Sequence, residues 1–196
     1  MNSNDPLPSL TLQPGATLVP RIPRAIAGVD LWSPAVEVMT DLAKIKVASI
    51  DRSAKVDQAE QYMHYLGVHM LFVVSKMPLV EGLITSTDLS GEKPQIELRR
   101  HGIRYVDLSV GDLMTPIEKV EAIDYKLILK QKVSNVVATF KDRCRNHLLV
   151  VDHGPATTVR IRGVIARSQV ERQLGRPILI HEASRSLADN VVKMLT

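Results

Sequence analysis

Between residues 36 and 175 the apolar positions fall into two series of short segments that follow one another in the same order. In the first series Ile45-Lys46-Val47-Ala48-Ser49-Ile50-Asp51 alternates as a half-buried strand does, and in the second Val120-Glu121-Ala122-Ile123-Asp124 does the same. Each stretch follows a Met-Thr pair, Met39-Thr40 or Met114-Thr115. Val56, Ala59, Met63 and Leu66 then recur at helical spacing, as do Val133, Val136, Val137, Phe140 and Cys144, so each series continues with an amphipathic helix. The runs Met70-Leu71-Phe72-Val73-Val74 and Leu148-Leu149-Val150-Val151 are short and β-branched, which suits strands buried on both faces. A further strand is expected over Leu79–Thr85 and over Val159–Ala166, containing Gly82 and Gly163, and closing helices begin near Ser86 and Arg167.

The two series are in register. Ile50 and Ile123 lie 73 residues apart, Val56 and Val133 77, Val74 and Val151 77, and Gly82 and Gly163 81, so the offset changes only across turns. Each unit reads strand, helix, strand, strand, helix over roughly 50–60 residues, a size at which one copy alone is marginal. Two copies packed through their sheets bury both faces of the Val and Ile runs. The expected fold is therefore mixed α/β (α+β), with two β-α-β-β-α repeats related by a pseudo-two-fold axis. The corresponding boundaries are a proline-rich N-terminal arm over 1–35, a first repeat over 36–91, a linker over 92–111, a second repeat over 112–175 and a helical tail over 176–196. Six of the eleven prolines fall in the first 34 residues, and Leu187, Val191, Met194 and Leu195 carry the helical spacing of the tail.

Composition narrows the function classes. The 196 residues are 45% hydrophobic and carry 25 Lys and Arg against 21 Asp and Glu, a formal charge of +4 with both signs interspersed. A single cysteine, Cys144, forms no intramolecular disulfide or Cys-based zinc site, the opening residues lack the pattern of a secretory signal, and no apolar stretch has the length of a membrane span. The expectation is a cytoplasmic protein without membrane contact. Two Phe, one Trp and four Tyr offer few stacking platforms, which speaks against nucleic acid despite the basic balance. The sequence contains no Gly-rich phosphate loop, Gly-x-Ser-x-Gly elbow or His-Glu-x-x-His, and the histidines do not stand at metal-pair spacing, so neither an enzyme nor a metal site is expected.

The doubled order, its Met-Thr openings, and the turns Gly82-Leu83-Ile84-Thr85-Ser86-Thr87-Asp88 and Gly163-Val164-Ile165-Ala166-Arg167-Ser168-Gln169 resemble the paired cystathionine-β-synthase (CBS) domains, or Bateman module, in its stand-alone bacterial form. The resemblance covers roughly residues 36–175. It implies a regulatory module that senses an adenine nucleotide (AMP, ADP or ATP) in the cleft between its repeats, signals to an unidentified protein partner, and assembles as a homodimer. No cofactor is required; the nucleotide is the regulatory ligand. Such a ligand needs an apolar slot, a carboxylate for the ribose hydroxyls and polar groups for phosphate. By the resemblance Thr85 and Asp88 meet phosphate and ribose, and Val47, Ala48, Met70 and Leu71 form the base slot; His69, just before that strand, is either a phosphate contact or a plain surface or core histidine. Thr85-x-x-Asp88 is equally a capping pair for the following helix. In the second repeat Ala166 and Gln169 replace the hydroxyl and the carboxylate, so a weaker second site is expected around Arg167, Gln169 and His147. Arg160, Arg162, Arg167, Arg172 and Arg176 form a basic stretch that is a solvated face, the source of the cation missing from the first repeat's turn, or a surface for an acidic partner. The competing reading is a dimeric interaction scaffold that binds no ligand.

Overall fold

The computed structural model describes residues 28–76, 78–143, 145–154 and 158–180. The sequence readings that concern 1–27, Cys144 and 181–196 lie outside the described residues.

Two four-stranded sheets face each other. One consists of β2 (Ser49–Asp51), β3 (Met70–Val74), β4 (Gly82–Thr85) and β5 (Thr115–Pro116), in that order. The other runs β1 (Thr40–Asp41), β8 (Val159–Ala166), β7 (His147–His153) and β6 (Ala122–Asp124). In each, a parallel pair, β2–β3 or β6–β7, is joined through α1 (Val56–Leu66) or α6 (Val133–Arg143), and the next strand returns antiparallel. The chain then enters α2 (Ser86–Ser90) or α7 (Arg167–Leu174). These are the two β-α-β-β-α units expected, and the runs at 70–74 and 148–151 are strands.

Alternation along those strands divides the core in three. Leu71, Val73 and Ile84 point to a first-unit core with Val56, Ala59 and Met63 of α1, while Leu148, Val150 and Ile165 join Val133, Val136 and Phe140 of α6 in a second. The intervening residues Met70, Phe72, Leu83, Leu149 and Val164 meet between the sheets. A strand buried on both faces must be apolar at every position, which is why periodicity of two is absent there.

The opening strand of each unit belongs to the other unit's sheet. β1 pairs with β8 (Thr40 opposite Val164), and β5 pairs with β4 (Thr115 opposite Leu83). Gly82 and Gly163 stand at these exchanged edges, and a Cβ on Gly82 would lie 2.5 Å from the Thr115 carbonyl oxygen. The missing side chain is what lets the visiting strand come close.

Other expectations change. The strand read over 45–51 is only Ser49–Asp51, because Asp41 closes a turn through the Ala43 and Lys44 N–H groups (both 3.0 Å) and leaves Ile45 exposed. The strand read from Leu79 starts at Gly82, since Leu79 sits in a tight hairpin with Lys76. The linker read over 92–111 contains a helix, α3 (Lys93–His101), with Pro94 in its first turn, Arg99, Arg100 and His101 in its last, and Gly102 at φ 63° ending it. It continues through a 3-10 turn at Tyr105–Asp107 and α4 (Val110–Leu113) to β5, whereas α5 (Tyr125–Ile128) follows β6. Residues 31–38, read as arm up to residue 35, dock on the second unit: Val133 N–H donates to Ser33 O (2.9 Å), Ala35 N–H to Gln131 O (2.9 Å), and Ala35 and Val38 are buried in the second core. At the other end Arg176–Ile180 is not helical, and Ile178 inserts into the same core.

Candidate functional site

The turn from β4 into α2 positions Thr85 and Asp88. Asp88 N–H donates to Thr85 Oγ1 (3.3 Å), while Asp88 Oδ2 accepts from the Thr85 N–H (2.9 Å) and hydroxyl (2.6 Å). The capping pair read from the sequence is thus formed, and it aims Asp88 between the sheets. Lys93, at the start of α3, places its ammonium on Asp88 Oδ1 and reaches Leu113 O and Thr115 Oγ1, both at 3.3 Å. The cation absent from the first repeat's turn is supplied by the helix after it.

Around this turn lies a cleft of about 220 Å³ that both units build. Met70, Leu83, Thr85, Thr87, Asp88, Lys93 and Thr115 come from one sheet and its helices; Val120, Glu121, Arg145, Asn146, His147 and Leu149 come from the other side. Met70, Leu83, Val120 and Leu149 make an apolar wall. Polar groups of both signs line the rest. Burial, with the neighbouring His69 and Arg167, pushes the His147 imidazole down to about 4, against an upward pull from Asp88. It is therefore neutral at pH 7 and offers one donor and one acceptor.

The predicted residues separate. Thr85, Asp88 and Met70 come together as expected. His147, assigned to the second site, instead lines this first cleft, because β7 faces β3 across the sheet interface. His69 is exposed but close enough to His147 to lower its basicity. Leu71 is a correction: it points to the opposite face of β3, into the first-unit core. Ala48 packs against that core as well. Val47 lines a different cleft of about 830 Å³, with Phe72, Val74, Val80, Val151 and Arg160 among its walls. Gln169 and Arg167 line neither of these two clefts; Gln169 Oε1 accepts from Thr40 Oγ1 (3.0 Å) on the exchanged strand. Arg167 stands 3.8 Å from Glu171, and Arg162 pairs with Asp41 at 2.9 Å, so the basic stretch is partly neutralised.

The contributions of Lys93, Thr115, Val120, Glu121, Arg145 and Asn146 were not foreseen. One signal was available: at the offset of 73, Val47 and Ala48 correspond to Val120 and Glu121. Because the sheets face each other, the chain opposite Asp88 is the other repeat's, so the residues that line this cleft are the copies, Val120 and Glu121, rather than Val47 and Ala48.

This architecture is that of the paired CBS-domain proteins. Among solved structures of the same fold are a conserved protein of Pyrococcus horikoshii (TM-score 0.52, 20% identity, 78% of this chain and 100% of that one) and the CBS domain protein NE2398 (TM-score 0.50, 21% identity, 68% and 96%). A third is CBSX2 in complex with AMP (TM-score 0.50, 20% identity, 72% of this chain and 94% of that one). No family model matches the chain, and no curated protein matches it by sequence. Among the described residues no helix is long and apolar enough to cross a membrane.

Proposed function

We propose that the protein is a regulatory module that binds an adenine nucleotide in the inter-repeat cleft at Thr85 and Asp88 and passes the binding event to a protein partner without catalysing a reaction. The observation that carries this reading is convergence. A carboxylate, Thr85 and Thr87 from one unit meet Arg145, Asn146 and His147 from the other, around the apolar wall of Met70, Leu83, Val120 and Leu149. Base, ribose and phosphate each find their chemistry there. The cleft is smaller than the roughly 300 Å³ at which ligand pockets usually begin, so base and ribose fill it and phosphate lies at the rim beside exposed Arg145 and Asn146. The AMP bound by CBSX2, a protein of the same fold, supports the choice of ligand. A homodimer is part of the reading.

The test is titration calorimetry with AMP, ADP and ATP on the wild type, Asp88→Ala and Gln169→Ala. Loss of a charged acceptor should weaken nucleotide binding by about ten- to a hundredfold in Asp88→Ala, whereas Gln169→Ala, whose amide faces Thr40, should leave it nearly unchanged. Asp88→Ala should also lower stability by about 1 kcal/mol, because the capping contact goes with it. Unchanged affinity beside lowered stability would reduce Asp88 to a cap. Absence of binding by any of the three nucleotides would favour the interaction scaffold, a reading that the neutralising Lys93 contact on Asp88 also fits.

A further inference from the structure

Both oxygens of Asp88 are engaged. Oδ2 accepts from the Thr85 N–H and hydroxyl, and Oδ1 meets the Lys93 ammonium. A carboxylate offers about four lone-pair directions, so one remains, on Oδ1. The vicinal diol of a ribose brings two hydroxyl donors, and with both Thr85 contacts kept Asp88 accepts the pair only if Lys93 withdraws. That lysine is more than a surface counter-ion. Through Leu113 O at the end of α4 and Thr115 Oγ1 of the exchanged strand β5 it also ties α3 to the segment that crosses between the units, so one ammonium joins the candidate site, the connecting helix and the boundary between the units. In the second unit no such bridge is seen among the described residues: Thr40 Oγ1 donates straight to Gln169 Oε1.

We propose that Lys93 is a built-in competitor of the ribose. Its ammonium holds Asp88 when the cleft has no ligand, a nucleotide displaces it, and the displacement frees α3 from β5. This inference rests on the nucleotide reading above and adds its regulation. The element released faces outward, with Ile96 of α3 55% exposed, so the change is presented at the surface.

The experiment compares wild type with Lys93→Met, and with Lys93→Gln as a second variant, by calorimetric titration with adenosine and with AMP. Hydrogen exchange over residues 93–101 of the wild type is followed with and without AMP. Removing the competitor should tighten adenosine binding about two- to fivefold, and AMP should speed exchange across α3. Adenosine affinity that is equal in all three proteins would overturn the proposal while leaving the nucleotide reading in place. So would weaker AMP binding with unchanged adenosine binding, which would make Lys93 a phosphate contact. Unaltered exchange over α3 would overturn the release step. If neither ligand binds any of the proteins, the nucleotide reading itself falls, and the competitor with it.

Discussion

His147 is held near 4 by burial and by its basic neighbours His69 and Arg167, whereas an unfolded chain titrates near 6.5. Between those values the unfolded state binds more protons, so stability is fully present above about pH 6.5 and falls as pH is lowered toward 4. The gap between 6.5 and about 4 corresponds to at most about 3 kcal/mol. Urea unfolding at pH 7.5 and pH 5 should therefore show a larger loss for the wild type than for His147→Gln, and parallel losses would rule the imidazole out as the cause. At this scale the sequence was readable where chemistry is local. Thr85 and Asp88 are three residues apart on one turn, and their spacing alone gives the capping contact. Lys93 and Arg145 were not readable, because each reaches the cleft from a separate element and carries no spacing rule with its partners.

Between elements, the exchange of β1 and β5 decides how the two units hold together. The Met-Thr pairs announce the opening of each unit, but a two-residue strand has too little pattern to declare which sheet receives it. The glycines carried that information, since Gly82 and Gly163 occupy the strand positions facing the visitors. They are not equivalent in what they face. A Cβ at Gly82 meets the Thr115 carbonyl, fixed backbone, at 2.5 Å, whereas at Gly163 it first meets the flexible Met39 side chain, with the Thr40 carbonyl oxygen at 3.0 Å. Overpacking of this kind costs about 1–3 kcal/mol. Gly82→Ala should lie at the upper end and Gly163→Ala at the lower, as read from urea midpoints; the reverse order would mean that the backbone of β5 yields more easily than the Met39 side chain. Similarly, α3 escaped the sequence reading because Ile96 and Leu98 are its only apolar residues apart from the proline, too few for a helical period. Its ends, Pro94 and Gly102, were the legible part.

For the whole molecule, the exchanged strands and the shared layer of Met70, Phe72, Leu83, Leu149 and Val164 leave neither unit complete without the other. The repeat in the sequence shows two units, but physically they should unfold as one. A unit of this size is marginal alone, and each would lose an edge strand and a buried face on separation. Calorimetry should accordingly give a single transition with equal calorimetric and van't Hoff enthalpies. The apolar faces of the two long repeat helices are largely consumed within the two cores, by Val56, Ala59 and Met63 on α1 and by Val133, Val136 and Phe140 on α6. Among the apolar residues left exposed are Tyr65, 83% exposed at the end of α1, beside Leu66, with Leu127 and Leu129 at and just beyond the end of α5. If these residues meet a second copy, association stabilises the native state by mass action, and the midpoint of that single transition must rise with protein concentration. A midpoint constant over a hundredfold range of concentration would leave the protein a monomer, and two resolved transitions would show that the exchanged strands do not couple the units.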